Sequence, residues 1–456
     1  MSPGPFGTEI ESGTLDAART NERPLPHPAP GLSLSHRFRA GDQILGLEGI
    51  QDGSTVHRSV DEPWRIRAVP EQGPVTLATG NPRPSGAPQV GGRLGIASFN
   101  VANVFSTIDT TSSSSTGTCG PSGTLDCRGA DSAIERARQL EKLVAAICGL
   151  DADVLGLMEI ENDASATTAS LASATSAFPG CGAWTAVPTG PIGSDAIRVA
   201  LLYRPAVVET VGPPRILDAS VDPRFLDARN RPVLAQSFRE RAAGEVFTLA
   251  VVHLKSKGSP CSGAGDLDLG DGQGGCNATR TAGARALVDW LAGDPTGSGD
   301  GDFLIVGDLN SYAREDPVRA LADGPDDLPA TPDDFVDLVR AHAGPDAYGY
   351  VFDGQLGRLD HAFASAPLAA KITGAAEWHI NADEPAAFDY DDAIADAGEA
   401  AFEAKSDALP LFAPDAYRTS DHDPISIGLP EPGGGILAGL VLLARLAVAR
   451  NRPGLL

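Results

Sequence analysis

Six apolar runs stand out along the chain: RLGIASFNV, DVLGLMEIE, AIRVALLYR, VFTLAVVHL, DFLIVGDLN and RLDHAFAS, all between Arg93 and Ser365. Each reads as a buried strand, whereas SAIERARQLEKLVAAICGL and ATRTAGARALVDWLA repeat their apolar residues at helical spacing. Several strands follow one another with no helix between them, which predicts sheets that are largely mixed or antiparallel. No internal repeat of fixed period is present.

The flanks differ in pattern. Short patches such as DQILGLEGI and PWRIRAV alternate apolar and polar residues between Gly and Pro breakers, so residues 36–80 are expected to form a small β module. Residues 1–35 are polar and Pro-rich and read as a poorly ordered arm or a remnant of something longer. NPRPSGAPQVGG, residues 81–92, reads as a linker, residues 93–429 as the main α/β domain, and residues 430–456 as a tail of another kind. In that tail Pro430-Glu431-Pro432 precedes GGGILAGLVLLA and then Arg445, Arg450 and Arg452. The apolar run of twelve is short of the roughly 20 residues that span a bilayer, and its plain reading is an amphipathic terminal helix.

Composition narrows the class. At 456 residues the chain exceeds one hydrophobic core, and 42% hydrophobic with 21% charged residues is ordinary for a folded protein; disorder throughout and a coiled coil are excluded. The net charge of −25 argues against coating nucleic acid by bulk electrostatics. A polyanion would have to be met by local cations or a bound metal. Only five of the 35 basic residues are Lys, and Lys255 and Lys257 sit beside His253.

The six Cys allow fifteen pairings. Cys119 with Cys127 and Cys261 with Cys276 bracket short Gly-, Ser- and Asp-rich loops and suggest two local disulfides, with Cys148 and Cys181 a third pair. None of the spacings suits zinc, and oxidising surroundings follow. MSPGPFGTEIESG shows no basic region followed by an apolar stretch, so no signal peptide is visible; either the chain start is misassigned or export is unusual.

Candidate chemistry lies at strand ends, where a sheet assembles a site: Asn100, Glu159, His253, Asp308, Asn310, Asp360, Asp421 and His422. Singly, such an Asn is a turn former, an Asp a solvated cap and a His a satisfied structural residue. Together, Asn100, Glu159, Asp308, Asn310 and Asp421 offer hard oxygen ligands suited to Mg²⁺, Mn²⁺ or Ca²⁺, with two imidazoles beside them. Phosphodiester hydrolysis needs an activated water, a cation for the phosphoryl charge and a proton for the leaving oxygen, and this set supplies all three. In VVHLKSKGS, strand alternation would put His253, Lys255 and Lys257 on one face; the competing reading is a basic edge strand protected against aggregation.

The ordered segments GIASFNVANVF, DVLGLMEIEND, RVALLYRP, HLKSKGS, GDLNSYAREDP, RLDHAF and RTSDHDP resemble the endonuclease/exonuclease/phosphatase superfamily, most closely its large secreted bacterial nucleases. CNATR, YVFDGQLGRLDH, EWHINADEP and the module before Arg93 resemble that branch in particular. The C-terminal segment resembles a PEP-CTERM sorting signal of Gram-negative bacteria. The superfamily resemblance implies a two-sheet α/β sandwich of the deoxyribonuclease type. It implies that Glu159, Asn100 and Asp421 form the cation site and that Asp308 and Asn310 contact the scissile phosphate. His422 would be the base or electrostatic partner, oriented by Asp360, and His253 the second His of pancreatic deoxyribonuclease-like members.

Two positions depart from that pattern. Where those relatives carry a Glu that supports the first His, this chain has Ile197, and Asp195 is the candidate substitute. Arg231 resembles the Arg that reaches a substrate phosphate, with an ion pair to a nearby acid as the competitor. Arg280, opening a helix after Asn277, is a further phosphate candidate. His361 and His379 are read as structural, with no partner legible for His379, and DLDLGDGQGG as a solvated loop without EF-hand spacing.

These readings converge on a secreted or cell-surface, divalent-cation-dependent nuclease, with Mg²⁺ foremost, that cleaves DNA, RNA being a second substrate. The envelope sorting machinery would be a partner through the tail; oligomeric state is not legible. One alternative is a phosphodiesterase of a lipid or small phosphoester, which would call for exposed apolar hairpins; none is visible among aromatic residues that make up 5% of the chain. The other is a non-catalytic surface or matrix binding protein.

Overall fold

The computed structural model describes residues 34, 37, 39–52, 65–68, 76–111, 113, 115–261, 265–352, 354–391 and 411–430. The expected arm, apart from Leu34, and the tail after Pro430 lie outside the described residues. The expected β module holds four short strands, β1 (Gln43–Leu45), β2 (Gly49–Asp52), β3 (Arg65–Ala68) and β4 (Thr76–Ala78). They pair antiparallel as β1–β4 and β2–β3.

The main domain runs β5 (Leu94–Val104), α1 (Ala133–Leu150), β6 (Val154–Glu161), α2 (Ala166–Ala177), β7 (Thr185–Ala186), β8 (Ile197–Tyr203), β9 (Val208–Leu217), β10 (Arg231–Glu240) and β11 (Val246–His253). It continues α3 (Asn277–Ala292), β12 (Phe303–Asp308), α4 (Asp316–Ala322), β13 (Phe335–Asp337), α5 (Leu338–His342), β14 (Tyr350–Phe352), β15 (Gln355–Gly357), β16 (Asp360–Ser365), α6 (Ala366–Ala369), β17 (Gly374–Glu377) and β18 (Ile425–Leu429). One six-stranded sheet has the order β17-β18-β5-β6-β8-β7 and the other β13-β16-β12-β11-β10-β9. The pairs β5–β6 and β11–β12 are parallel and the remaining pairs in both sheets antiparallel, the mixed arrangement expected from the run of consecutive strands.

Alternation along the strands divides the interior. Leu304 and Val306 of β12 join Leu249 and Val251 of β11, Ile96 of β5 and Ile427 of β18 in the core between the sheets. Phe303 and Ile305 face outward to α3 and α4 through Leu287, Leu291 and Leu321. Ala97 and Phe99 face outward in the same way to Leu143 and Ile147 of α1. The result is an α/β sandwich with helices on both outer faces.

Local signals explain the helix starts. Ser132 caps α1 by accepting from the Glu135 amide at 3.1 Å, while the Glu135 carboxylate accepts from the Asp131 amide at 2.9 Å. α2, ATTASLASATSA, escaped the periodicity reading because Ala, Ser and Thr occupy nearly every position and leave no apolar stripe to find. All three expected disulfides are formed: Cys119–Cys127, Cys148–Cys181 and Cys261–Cys276.

The N-terminal module is fastened to the main domain by charge. Arg39 donates to His379 O at 2.6 Å and to Asp383 Oδ2 at 2.8 Å, the latter a buried ion pair with little solvent to screen it. Arg83 pairs with Glu384 and lies over the ring of Tyr417 at 4.2 Å. The segment expected as a linker is thus packed, with Asn81 Nδ2 donating to both Ala40 O and Asp383 Oδ2 at 2.8 Å.

Candidate active site

One row of the second sheet carries four of the candidate residues. Arg231 on β10 pairs with His253 on β11, His253 with Asp308 on β12, and Asp308 with Asp360 on β16. His253 continues the inward-facing series Leu249, Val251, Asp308 the series Leu304, Val306, and Asp360 the series Ala364, Ala362. All three therefore point into the same end of the sandwich. The close approach of β11 and β12 there depends on Gly307, at φ 138°, because a Cβ would lie 2.0 Å from Val252 O.

The first sheet answers with Asn100 and Glu159. Register shifts between Asn100 and Val104 on β5 and between Leu157 and Ile160 on β6 mark a bulge, and Glu159 itself has φ 64°. Such backbone costs about 1–3 kcal/mol and is held where the surroundings over-determine it. Here Asn100 Nδ2 and the Asn103 amide each donate to the Glu159 carboxylate at 3.1 Å. Asn310, at φ 48°, takes the left-handed turn that Asn tolerates, and its amide donates to Asp308 Oδ1 at 2.6 Å.

Charge is concentrated where water is scarce. Ligand atoms of Glu159, His253 and Asp308 all lie within 4.8 Å of one another. Burial, and next the Asp360 carboxylate, push the Asp308 carboxyl up to about 7. Burial and then Asp421 raise Glu159 as well. His253 is held well below the usual imidazole range by burial and then by Arg231, so it is neutral. Two carboxylates that resist joint ionisation beside a neutral imidazole are a donor set that fits a divalent cation.

Across the site, His422 Nδ1 pairs with Asp360 Oδ2. Burial opposes its charge, yet Asp360 and then Asp421 outweigh that and hold the imidazolium well above the ordinary range. The ring lies 4.6 Å from that of Tyr350, and the chain beneath it is fixed by Asn381, whose Nδ2 donates to His422 O at 2.6 Å. Ser420 Oγ donates to Asn100 O at 2.8 Å, joining this loop to the first sheet.

Several expectations need correction. Arg280 is fully buried and donates to Ser311 Oγ, Lys255 O, Gly275 O and Gln273 O, so it braces loops and has no free face for phosphate. β11 ends at His253, so the alternation stops there; Lys257 turns away to Glu315 and Gly272 O, while Lys255 stays half-buried near Arg231. Asp195 does not support His253: it accepts from Arg231 at 3.0 Å and from Arg128 at 3.1 Å, and His253 Nδ1 is buried without a partner. Asn100 turns its amide nitrogen, drawn by two carboxylates, to Glu159 at 3.1 Å and Asp308 at 3.2 Å, while its Oδ1 accepts from the Ala102 amide. Asp421 stands at the rim, with Oδ2 3.8 Å from His422 Nε2.

His379, for which the sequence offered no partner, pairs with Asp423 at 2.8 Å. His361 is buried, with its Nε2 2.8 Å from Ser311 O. The hairpin β14–β15, beside His422, exposes Phe352 and Leu356, so an apolar hairpin is present after all. Tyr350, Asn381 and Arg128 were not singled out in the sequence, although Tyr350 and Asn381 stand inside segments that carry the resemblance.

Carboxylates and imidazoles gathered at one end of a two-sheet sandwich define a class of phosphoester hydrolases. Residues 97–422, over two thirds of the chain, match the Endonuclease/Exonuclease/phosphatase family, and the chain belongs to it. No curated protein matches. Among solved structures the chain is similar to mannosyl-6-phosphatase Bt3783 of Bacteroides thetaiotaomicron (14% identity, 74% of this chain and 100% of that one, TM-score 0.43). It is also similar to the human Nocturnin catalytic domain (14%, 73% and 93%, 0.41). A third likeness is to D. rerio TDP2 complexed with single-strand DNA product (16%, 73% and 97%, 0.41).

Proposed function

We propose that the protein is a divalent-cation-dependent nuclease that hydrolyses DNA, with RNA a second substrate, to 5′-phosphate and 3′-hydroxyl ends. The observation that carries this reading is the opposition of the Asp360–His422 pair to the close-set Glu159, His253 and Asp308. Glu159 and Asp308, with Asn100 and Asp421 beside them, would hold a cation, foremost Mg²⁺, which supplies charge for the phosphoryl oxygens.

The chain's own groups complete the chemistry. The attacking water would give up its proton within this carboxylate cluster, where Asp308 lies beside Glu159 and Asp360. His422, kept charged by Asp360, gives a proton to the leaving oxygen. A polyanion is favoured because Arg128, Arg231 and Lys255 gather on the His253 side of the site, a local positive edge in a chain of net charge −25. Three disulfides support residence in an oxidising compartment, at the cell surface or beyond, with residues 430–456 read as a sorting tail.

A second reading, a phosphodiesterase of a lipid or small phosphoester, is favoured by one observation, the exposed hairpin residues Phe352 and Leu356. Supercoiled plasmid separates the two. Nicked and then linear DNA in Mg²⁺, Mn²⁺ or Ca²⁺, abolished by chelator, is the expected result; failure to cleave both the plasmid and a single-stranded oligonucleotide in every metal removes the nuclease reading.

A further inference from the structure

The hairpin β14–β15 stands at the mouth of the active site, and its two faces differ. Tyr350 and Phe352 share one face with their cross-strand partners Gly357 and Gln355. At the inner end Tyr350 packs against His422, with ring centroids 4.6 Å apart. Tyr312 packs against Gly357, where an added Cβ would come within 2.3 Å of its Cε1. The bare backbone at Gly357 thus admits a second aromatic ring. Phe352 stands one step further out on the same face, 57% exposed, beside the exposed amide of Gln355.

An aromatic ring in water next to an amide offers a π-face and a hydrogen-bonding edge, the pair of features that a nucleobase presents in return. A lipid chain would want apolar neighbours at the tip. Phe352 instead has the exposed amide of Gln355 as its cross-strand partner, a polar group that is costly to carry into hydrocarbon. Bases inside a duplex have their faces already covered, so the platform selects unpaired ones.

We propose that the Tyr350–Phe352 face, with Gln355, is a platform for an unpaired nucleobase next to the scissile phosphate, which makes single-stranded or frayed nucleic acid the preferred substrate. The proposal rests on the nuclease reading and goes beyond it by naming the strand state of the substrate and the residue that selects it.

The test compares kcat/KM of the full chain and its Phe352→Ala and Phe352→Trp variants on three substrates: bis(4-nitrophenyl) phosphate, a single-stranded 20-mer, and the same 20-mer as a blunt duplex. Wild type is expected to prefer the single strand over the duplex. In Phe352→Ala the single-strand to small-diester ratio of kcat/KM should fall roughly 10-fold or more through KM, and Phe352→Trp should restore it. An unchanged ratio, with DNA still cleaved, overturns the platform alone. Wild type that hydrolyses the small diester but neither DNA overturns the nuclease reading and the platform with it. Loss of binding to phosphatidylcholine–sphingomyelin vesicles in Phe352→Ala, with an unchanged ratio on DNA, overturns it in favour of a lipid surface.

Discussion

Arg231 Nη1 lies 3.3 Å from His253 Nε2. A guanidinium can only donate, so that ring nitrogen accepts, and the proton of the neutral imidazole sits on Nδ1. Arg231 is in turn held by Asp195 at 3.0 Å. The acid once expected to support His253 directly thus acts through an arginine that keeps the ring neutral.

Removing the guanidinium should release His253 from part of its depression. In Arg231→Met, an NMR titration of the His253 ring is expected to show protonation at higher pH than in wild type, because the second cause of its lowered pKa is gone while burial remains. Identical titrations in the two proteins would contradict the assignment.

The pairing of His422 with Asp360 predicts a matched loss. His422→Ala and Asp360→Asn should each lower kcat on a small phosphodiester roughly 10²- to 10⁴-fold while leaving the melting temperature within a few degrees. A folded Asp360→Asn protein with full turnover would show that the carboxylate does not orient the ring.

Arg280 provides the opposite case. Its guanidinium serves Ser311 and three backbone carbonyls in a fully buried setting, so Arg280→Ala should cost about 3 kcal/mol or more of stability. Thermal melts check this. A stable Arg280→Ala protein whose only defect is a raised KM would restore it to the substrate site.

Two buried groups give opposing pH dependences. Burial lowers His361 to about 4, so between the unfolded value of 6.5 and about 4 the unfolded chain takes a proton that the folded one refuses, and stability falls as pH falls. Burial pushes Glu377 up to about 7, so between 4.5 and about 7 the folded chain holds the extra proton, and stability falls as pH rises. Glu377 Oε1 is buried without a partner, and Glu377→Gln should therefore raise the melting temperature at pH 8 and steepen the loss below pH 6.5. Melts from pH 4 to 8 measure both slopes.

Much of this site was legible before any coordinates. The strands stand out as apolar runs, and for His253 and Asp308 parity with the apolar positions before them agrees with their inward aim; Glu159 would face outward with Leu155 and Leu157 by that parity, and only the bulge at its positive φ turns it into the site. The register was not legible: nothing in the separate strings VVHLKSKGS, GDLN and RLDH says that His253, Asp308 and Asp360 fall in one row, because that depends on pairing between distant strands. Arg280 misled because a basic residue at a helix start looks the same whether it faces solvent or, as here, the carbonyls of two loops. Tyr350 carries no ligand or proton-transfer group that marks it in the sequence, although it stands ten residues before Asp360, the partner of His422, and its ring packs against that imidazole.

The central claim is that Glu159 and Asp308 hold a cation needed for phosphodiester hydrolysis. The direct measurement is hydrolysis of bis(4-nitrophenyl) phosphate by metal-stripped wild type and Glu159→Gln, with Mg²⁺ or Mn²⁺ added back singly. The account predicts no turnover in stripped wild type, recovery with added metal, and at least a 100-fold lower rate in Glu159→Gln at every metal concentration. Full turnover in chelator, or a Glu159→Gln variant as active as wild type, would contradict it.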